Sequence, residues 1–414
     1  MRFFYGWIIA GAAFLSWAIS IGPRQAFSVF LLAFMQDFGW SRTATAAAFS
    51  VHMASYALGG CALGLLLDRV GPRRVIAWST GAWVLILLLC SRIERLWHLY
   101  LIFGVVGGIA MSGLAYVPNN TLLSRWFIRY RGLATGIAQA GVPFGTAMFG
   151  VLAQLGTASI GWRSTYVGFG LLVAVTALPL VLFFLRDDPG LMGLTPDGIP
   201  AAPANAQGPP AASTRVAQFT GPGYPGGYWS VFGANILRGM TMYAILIHQV
   251  AYLVDTGFTR MAAASLYSLG SILAVPSGLA AGLISDRLGR PRTYAVIAGL
   301  YVIGYASLLL VRDSSHIVFL GPFILASGMA MGANTPVFAA FLTDRLQGPR
   351  LGFLLGLQNI GFGAGAMLGP FLAGVLFDRL GSYTLAFSLM GGSIVLSSII
   401  VTATAGRRPR NASG

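Results

Sequence analysis

The chain has no lysine, only 11 acidic residues and two cysteines among 414 residues, and charged residues make up 9% of it. Average soluble domains carry roughly 25% charged residues, so this scarcity excludes an ordinary water-soluble fold. Cys61 and Cys90 both lie inside apolar runs, which argues against a disulfide framework. No His, Cys or Asp cluster has metal-ligand spacing. No nucleophile is paired with a base, and no phosphate-cradling glycine loop follows a strand. The expectation is a chain that is not an enzyme and needs no cofactor. A formal charge of +15 comes from arginines scattered between apolar runs rather than gathered into a stripe, which argues against nucleic acid. The first apolar segment, from Trp7 to about Met35, is too long for a cleavable signal and reads as an uncleaved span.

What remains is apolar bulk. Hydrophobic residues make up 56% of the chain, and its 55 glycines would let helices approach closely in a bilayer. Windows of about 20 apolar residues predict helices near 7–35, 44–66, 75–91, 97–120, 132–156, 163–185, 229–253, 262–285, 293–311, 317–341, 351–377 and 382–404. Between the sixth and seventh, a stretch rich in Pro, Gly and Ala cannot bury a core and reads as a flexible linker. The expected organisation is a six-helix half over 1–185, a linker over 186–228, a second half over 229–405 and a short tail over 406–414. This is an all-α, multi-pass membrane protein of 12 transmembrane helices, with the lipid bilayer around it; a monomer suffices for the layout. Seventeen arginines fall in segments on the side of the termini and seven on the other, an excess that places both termini in the cytoplasm of a cell membrane.

The halves also repeat. Gly64, Asp68, Arg69, Gly71 and Arg74 return at the same spacing as Gly282, Asp286, Arg287, Gly289 and Arg292, with Arg290 and Pro291 in the places of Pro72 and Arg73. Arg131, Gly132 and Gly141 have counterparts in Arg350, Gly352 and Gly361. A steady offset is what two similar transporter halves produce. The repeated G-x-x-x-D-R-x-G loop resembles the signature of the major facilitator superfamily, which implies that fold and two pseudo-symmetric halves. The resemblance also implies a latch on the cytoplasmic side, built from Asp68, Arg69, Arg73, Arg74, Asp286, Arg287 and Arg290. Such an Asp can cap a helix terminus or pair with arginines of a neighbouring loop.

Gly6-Trp7, the run from Gly22 through Phe30, Phe38-Gly39-Trp40-Ser41, Arg131 to Ala138 and Phe377 to Tyr383 are similar to the monocarboxylate transporter and oxalate/formate antiporter families. In monocarboxylate transporters the position of Arg24 carries a functionally important lysine, which implies a cationic role for Arg24. The family's eighth helix usually offers an arginine, often preceded by an aspartate; here Val275 and Ser271 stand in those places. The usual anchor is missing.

Two arginines, Arg24 and Arg238, lie inside spans that hold no Asp or Glu at comparable depth. A guanidinium does not lose its charge, so each needs water, a partner or an anion. Arg24 lies about 25 Å of helix rise from Trp7, and Arg238 about 14 Å from Trp229, near mid-depth. Ser16, Ser20, Arg24 and Ser28 share a face, as do Asn235, Arg238, Thr241, Gln249 and Tyr252, with His248 at the edge and Tyr243 pointing away. Tyr116, Asn119 and Asn120 cluster beside Pro118, and Asn334 and Phe338 share a stripe beside Pro336. Arg24 and Arg238 are expected to neutralise a small organic anion. Tyr116, Asn119, Asn120, His248, Gln249, Asn334 and Ser271 would orient it in the cavity, and Phe27 and Phe338 would exclude water. His248 and His52, the histidines inside spans, are candidates for carrying a coupled proton. The expected function is a secondary transporter for a mono- or dicarboxylate, by proton symport or anion exchange. An efflux carrier for amphipathic compounds and a non-transporting anion sensor are the alternatives.

Overall fold

The structure, a computed structural model, describes residues 4–114, 116–198, 227–346 and 351–406, and its regular structure there is helical. α1 (Gly6–Gln25) and α2 (Phe27–Phe38) follow one another across Ala26, with Pro23 inside the last turn of α1. Ser41 opens α3 (Arg42–Val70), its hydroxyl accepting from the Ala44 amide at 3.1 Å. α4 spans Pro72–Cys90. The predicted fourth span is made of short pieces: α5 (Leu96–Leu99), a π-helical stretch over Tyr100–Val106, α6 (Gly107–Ser112) and α7 (Tyr116–Trp126). The Leu114 carbonyl at the break before α7 accepts from Trp17 Nε1 at 2.8 Å and Asn119 Nδ2 at 3.0 Å. α8 (Arg131–Pro179) turns at Gly161, whose φ of 78° divides it into two rods.

The second half comprises α9 (Tyr228–Asp255), α10 (Arg260–Leu288), α11 (Arg290–Leu310), α12 (Leu320–Arg345), α13 (Leu351–Leu380) and α14 (Thr384–Gly406). Among the described residues nine helical stretches are long and apolar enough to cross a membrane, and the one over Gly132–Phe184 includes the Gly161 turn. α3 and the α5–α7 series stand where the second and fourth spans are expected. Exposed Leu85, Leu89, Val175, Leu283, Ile303 and Ile399 leave an apolar exterior suited to lipid.

The sequence repeat is a repeat of geometry. Gly71 and Gly289 adopt φ of 84° and 85°, and their amides return to Leu67 and Ser285 carbonyls at 3.0 and 3.1 Å. Thr259 caps α10 by accepting from the Ala262 amide, as Ser41 caps α3. α1 lies along α8, and α9 lies along α13 in the same way. A Cβ on Gly145 would meet the Ala18 carbonyl oxygen at 2.1 Å, and one on Gly365 the Ile236 oxygen at 2.0 Å. Gly145→Val and Gly365→Val should each destabilise the protein by at least about 1–3 kcal/mol, read as a lower melting temperature in detergent. Gly168→Ala, with nothing within 4 Å of the added carbon, should change it little.

The two halves meet along α3 against α13 and α8 against α10. On the face opposite the termini, Arg42 donates from both terminal nitrogens to Asp255, at 2.6 Å each, and its guanidinium lies 3.8 Å over the Phe377 ring. Asp378 accepts from the Arg42 and Thr43 amides at 3.3 and 2.8 Å. That end is fastened across the halves. At the terminal face, the described polar contacts of the predicted latch stay within one half. Arg73 donates from its amide to Asp187 and from its side chain to the Leu182 carbonyl. Arg290 pairs with Asp286 at 2.6 Å and Asp344 at 3.3 Å and donates to Ser285. Arg69, Arg74 and Arg287 are exposed, and the Asp68 side chain lies outside the described part.

Candidate functional site

Arg24 sits in the last turn of α1 and is only 5% exposed, so its charge is removed from bulk water. Among the described residues it has no carboxylate partner, and its Nε is buried without a hydrogen-bond acceptor. Its guanidinium lies 5.8 Å from the Tyr56 ring, with His52 and Tyr267 within electrostatic reach. The carbonyl of its neighbour Gln25 accepts from the Tyr267 hydroxyl at 3.1 Å, a bond between the two halves at the depth of Arg24.

Arg238, 6% exposed, is held differently. Its Nε donates to Asn235 Oδ1 at 2.8 Å and its Nη1 to Asn334 Oδ1 at 2.7 Å. Asn235 is itself pinned by donating to the Gln358 carbonyl at 2.6 Å. The Phe338 and Phe362 rings lie 4.5 and 4.3 Å from the guanidinium carbon. Every one of these partners is neutral. They orient the cation without cancelling its charge, and the described ion pairs all lie near helix ends.

A cavity of about 20 Å³ inside the second half is lined by Gln249, Tyr267, Ser271, Tyr301, Met242 and Met331. It has room for a water molecule but not for an organic anion. Tyr301 faces Arg238 and Asn334, Tyr267 reaches Arg24, and Tyr243 is within electrostatic reach of both Arg238 and Tyr267.

The expected residues divide clearly. Gln249 and Ser271 line the cavity, while Asn334 and Phe338 hold Arg238. Asn119 supports the Leu114 carbonyl, and Asn120 keeps a buried Oδ1 without a partner. The Tyr116 side chain lies outside the described part. Phe27 is not a cavity wall: it is fully buried, stacked at 4.8 Å on Phe103 in the core of its own half.

Nor does the polar stripe of α9 line the cavity as a whole. Thr241 donates to the Met390 carbonyl and Tyr252 to the Val311 carbonyl, so much of the stripe faces the neighbouring helices α11, α13 and α14. His248 belongs with the Arg42 cluster. Its Nε2 bonds the Pro370 carbonyl at 2.9 Å and its Nδ1 the Tyr383 hydroxyl at 2.8 Å, and that hydroxyl also accepts from Arg42 at 3.0 Å. Tyr243, expected to point away, instead packs on Phe49 of the other half with ring centroids 5.6 Å apart. Tyr267 could have been found from the sequence, one helical turn before Ser271; Phe362 carried no polar signal at all.

The pattern of the Major Facilitator Superfamily matches residues 6–333 and 314–414, which together take in nearly all of the sequence. The chain belongs to the major facilitator superfamily. It is a membrane carrier rather than an enzyme, and a secondary transporter by class. It is 28% identical over 401 residues to Monocarboxylate transporter 13 of Rattus norvegicus, covering 96% of this chain and 89% of that protein. Monocarboxylate transporter 2 of Homo sapiens is 26% identical over 410 residues, covering 95% and 84%. A bacterial relative, the uncharacterized MFS-type transporter YcxA of Bacillus subtilis (strain 168), is 24% identical over 391 residues, covering 91% and 90%. The crystal structure of the nucleoside transporter NupG superposes with a TM-score of 0.73 at 14% identity, covering 96% of this chain and 99% of that one. At that identity the likeness concerns the fold alone. The superfamily fold accounts for the two similar halves.

Proposed function

We propose that this carrier moves a small organic anion, a mono- or dicarboxylate, across a cell membrane with both termini in the cytoplasm. Alternating access would be achieved by rocking the two halves, one carrying Arg24 and the other Arg238. One observation carries the reading: among the described residues Arg24 is a buried cation with no acidic partner and a buried Nε that lacks an acceptor. A carboxylate supplies both the charge and the acceptor. Arg238, fixed by Asn235 and Asn334, offers a second cation in a set orientation. The names of the monocarboxylate transporter relatives support the same substrate class. Arg42 and its partners would form the outer gate, closed in this structure.

The test is uptake into proteoliposomes of labelled glycolate, benzoate and oxalate against a neutral lipophile of similar size, with and without a pH gradient. Saturable uptake of at least one carboxylate and none of the neutral compound is expected. Transport of the neutral lipophile with no anion carried would overturn the reading.

A further inference from the structure

We propose that the groove between α11 and α14, on the lipid-facing side of the second half, binds one phospholipid, with an acyl chain along Gly391 and Gly392 and the phosphate at Arg312. The proposal stands apart from the anion reading and uses none of its residues.

The groove holds about 420 Å³, walled by Val302, Tyr305 and Leu309 of α11 and by Phe387, Gly392 and Ile399 of α14. A Cβ added to Gly391 or Gly392 would meet nothing within 4 Å. The chain holds its own comparison. Gly161 and Gly381 both turn the backbone at positive φ, 78° and 65°, before the last helical rod of their halves. Leu171 and Leu172 stand as far beyond Gly161 as Gly391 and Gly392 stand beyond Gly381. Where the first half carries two leucines, the second leaves open space.

Hydrogen bonds keep the walls from closing over that space. The Tyr305 hydroxyl donates to the Thr241 carbonyl at 2.6 Å, and the Thr241 hydroxyl donates to the Met390 carbonyl at 2.9 Å. Both helices are thus pinned to α9 behind the groove, and the Phe387 ring packs on Tyr305 with centroids 5.6 Å apart. An apolar space open to hydrocarbon is filled by the apolar chain beside it, since an empty one forfeits its contacts.

The dimensions choose the occupant. Along α14 the groove runs from Phe387 to Ile399, about 18 Å of helix rise. That is close to one leaflet of a hydrocarbon core about 30 Å thick. On α11 it begins at Leu309, by the end opposite the termini, and stops at Val302, about 18 Å short of Arg290. A membrane-spanning helix would need a trough through both leaflets, whereas an acyl chain needs one. At the outer mouth stands a cation. Arg312 is exposed three residues beyond Leu309, and the Val311 carbonyl beside it accepts from the Tyr252 hydroxyl, whose ring lies 5.5 Å from Phe387. Among the described residues Arg312 has no ion-pair partner, and the adjacent Asp313 is turned to Ser315 and His316. A guanidinium matches a phosphodiester with two parallel hydrogen bonds. An apolar slot one leaflet deep, ending at a guanidinium, has the outline of one phospholipid.

The experiment is native mass spectrometry of the full-length protein in mild detergent, given palmitoyl-oleoyl phosphatidylethanolamine. The wild type should hold one lipid under activation that strips the rest. The double variant Gly391→Leu, Gly392→Leu, which copies the first half, should retain it at least about tenfold less, the effect of displacing two or more buried methylenes. Arg312→Gln should retain it about two- to fivefold less. Retention equal to wild type in the double variant would overturn the proposal, as would a wild type that holds no lipid. A dimer that the double variant splits would assign the groove to a second copy and overturn it too. If the double variant does not fold, Arg312→Gln decides, because it alters only an exposed side chain: unchanged retention there overturns the proposal.

Discussion

Arg238→Gln should lower carboxylate transport by at least about a hundredfold. A carboxylate bonded to a buried guanidinium gains about 3 kcal/mol over the same carboxylate facing a neutral amide, and each 1.4 kcal/mol is about tenfold. Arg24→Gln should cost as much, because among the described residues Arg24 has no acidic partner to share its charge. Arg238→Lys should recover only part of the loss. It restores the charge but not the planar fork that Asn235 and Asn334 hold between the Phe338 and Phe362 rings. Binding and uptake measured side by side would check this, and normal values in both glutamine variants would remove these arginines from the site.

The second large effect is expected far from the substrate. Arg42→Ala should release the end of the molecule opposite the termini. The change removes two charge-assisted bonds to Asp255, the bond to Tyr383 and the stacking on Phe377. Arg42 is buried but Asp255 is partly solvated, so about 2 kcal/mol is a fair discount from a fully buried pair. That shifts the balance between closed and open forms about thirtyfold. Spin labels at Gln36→Cys and Ser382→Cys, with both native cysteines replaced by alanine, would report it as a longer distance across that face. An unchanged distance distribution would show that Arg42 does not hold the gate.

How much of this was legible in the sequence depends on the range of the interaction. The helices and the repeat are local, so hydropathy and the paired D-R-x-G loops revealed them. Arg238 and Asn334 stood out because a polar residue in an apolar run must be satisfied somehow. Their pairing, across 96 positions, could not be read. A helical wheel sorts residues into faces but does not say which neighbour each face meets. That is why Tyr243 was assigned to the wrong side and His248 to the cavity. Arg42 looked like an ordinary loop charge because its carboxylate partner is 213 residues away, in the other half. Phe27 looked like a cavity wall because it shares a predicted span with Arg24, yet its ring belongs to the core of the first half.

The glycine contacts carry a mechanical consequence. Inside each half, backbone touches backbone where Gly145 and Gly365 meet Ala18 and Ile236, leaving no side chains there to yield under load. Where α8 meets α10, glycines instead meet movable side chains: Gly150 against Ser268 and Tyr267, and Gly136 against Leu279. Each half is thus a stiff lever arm, and compliance is concentrated at the joint between them, where a small force from a bound ion can be turned into displacement.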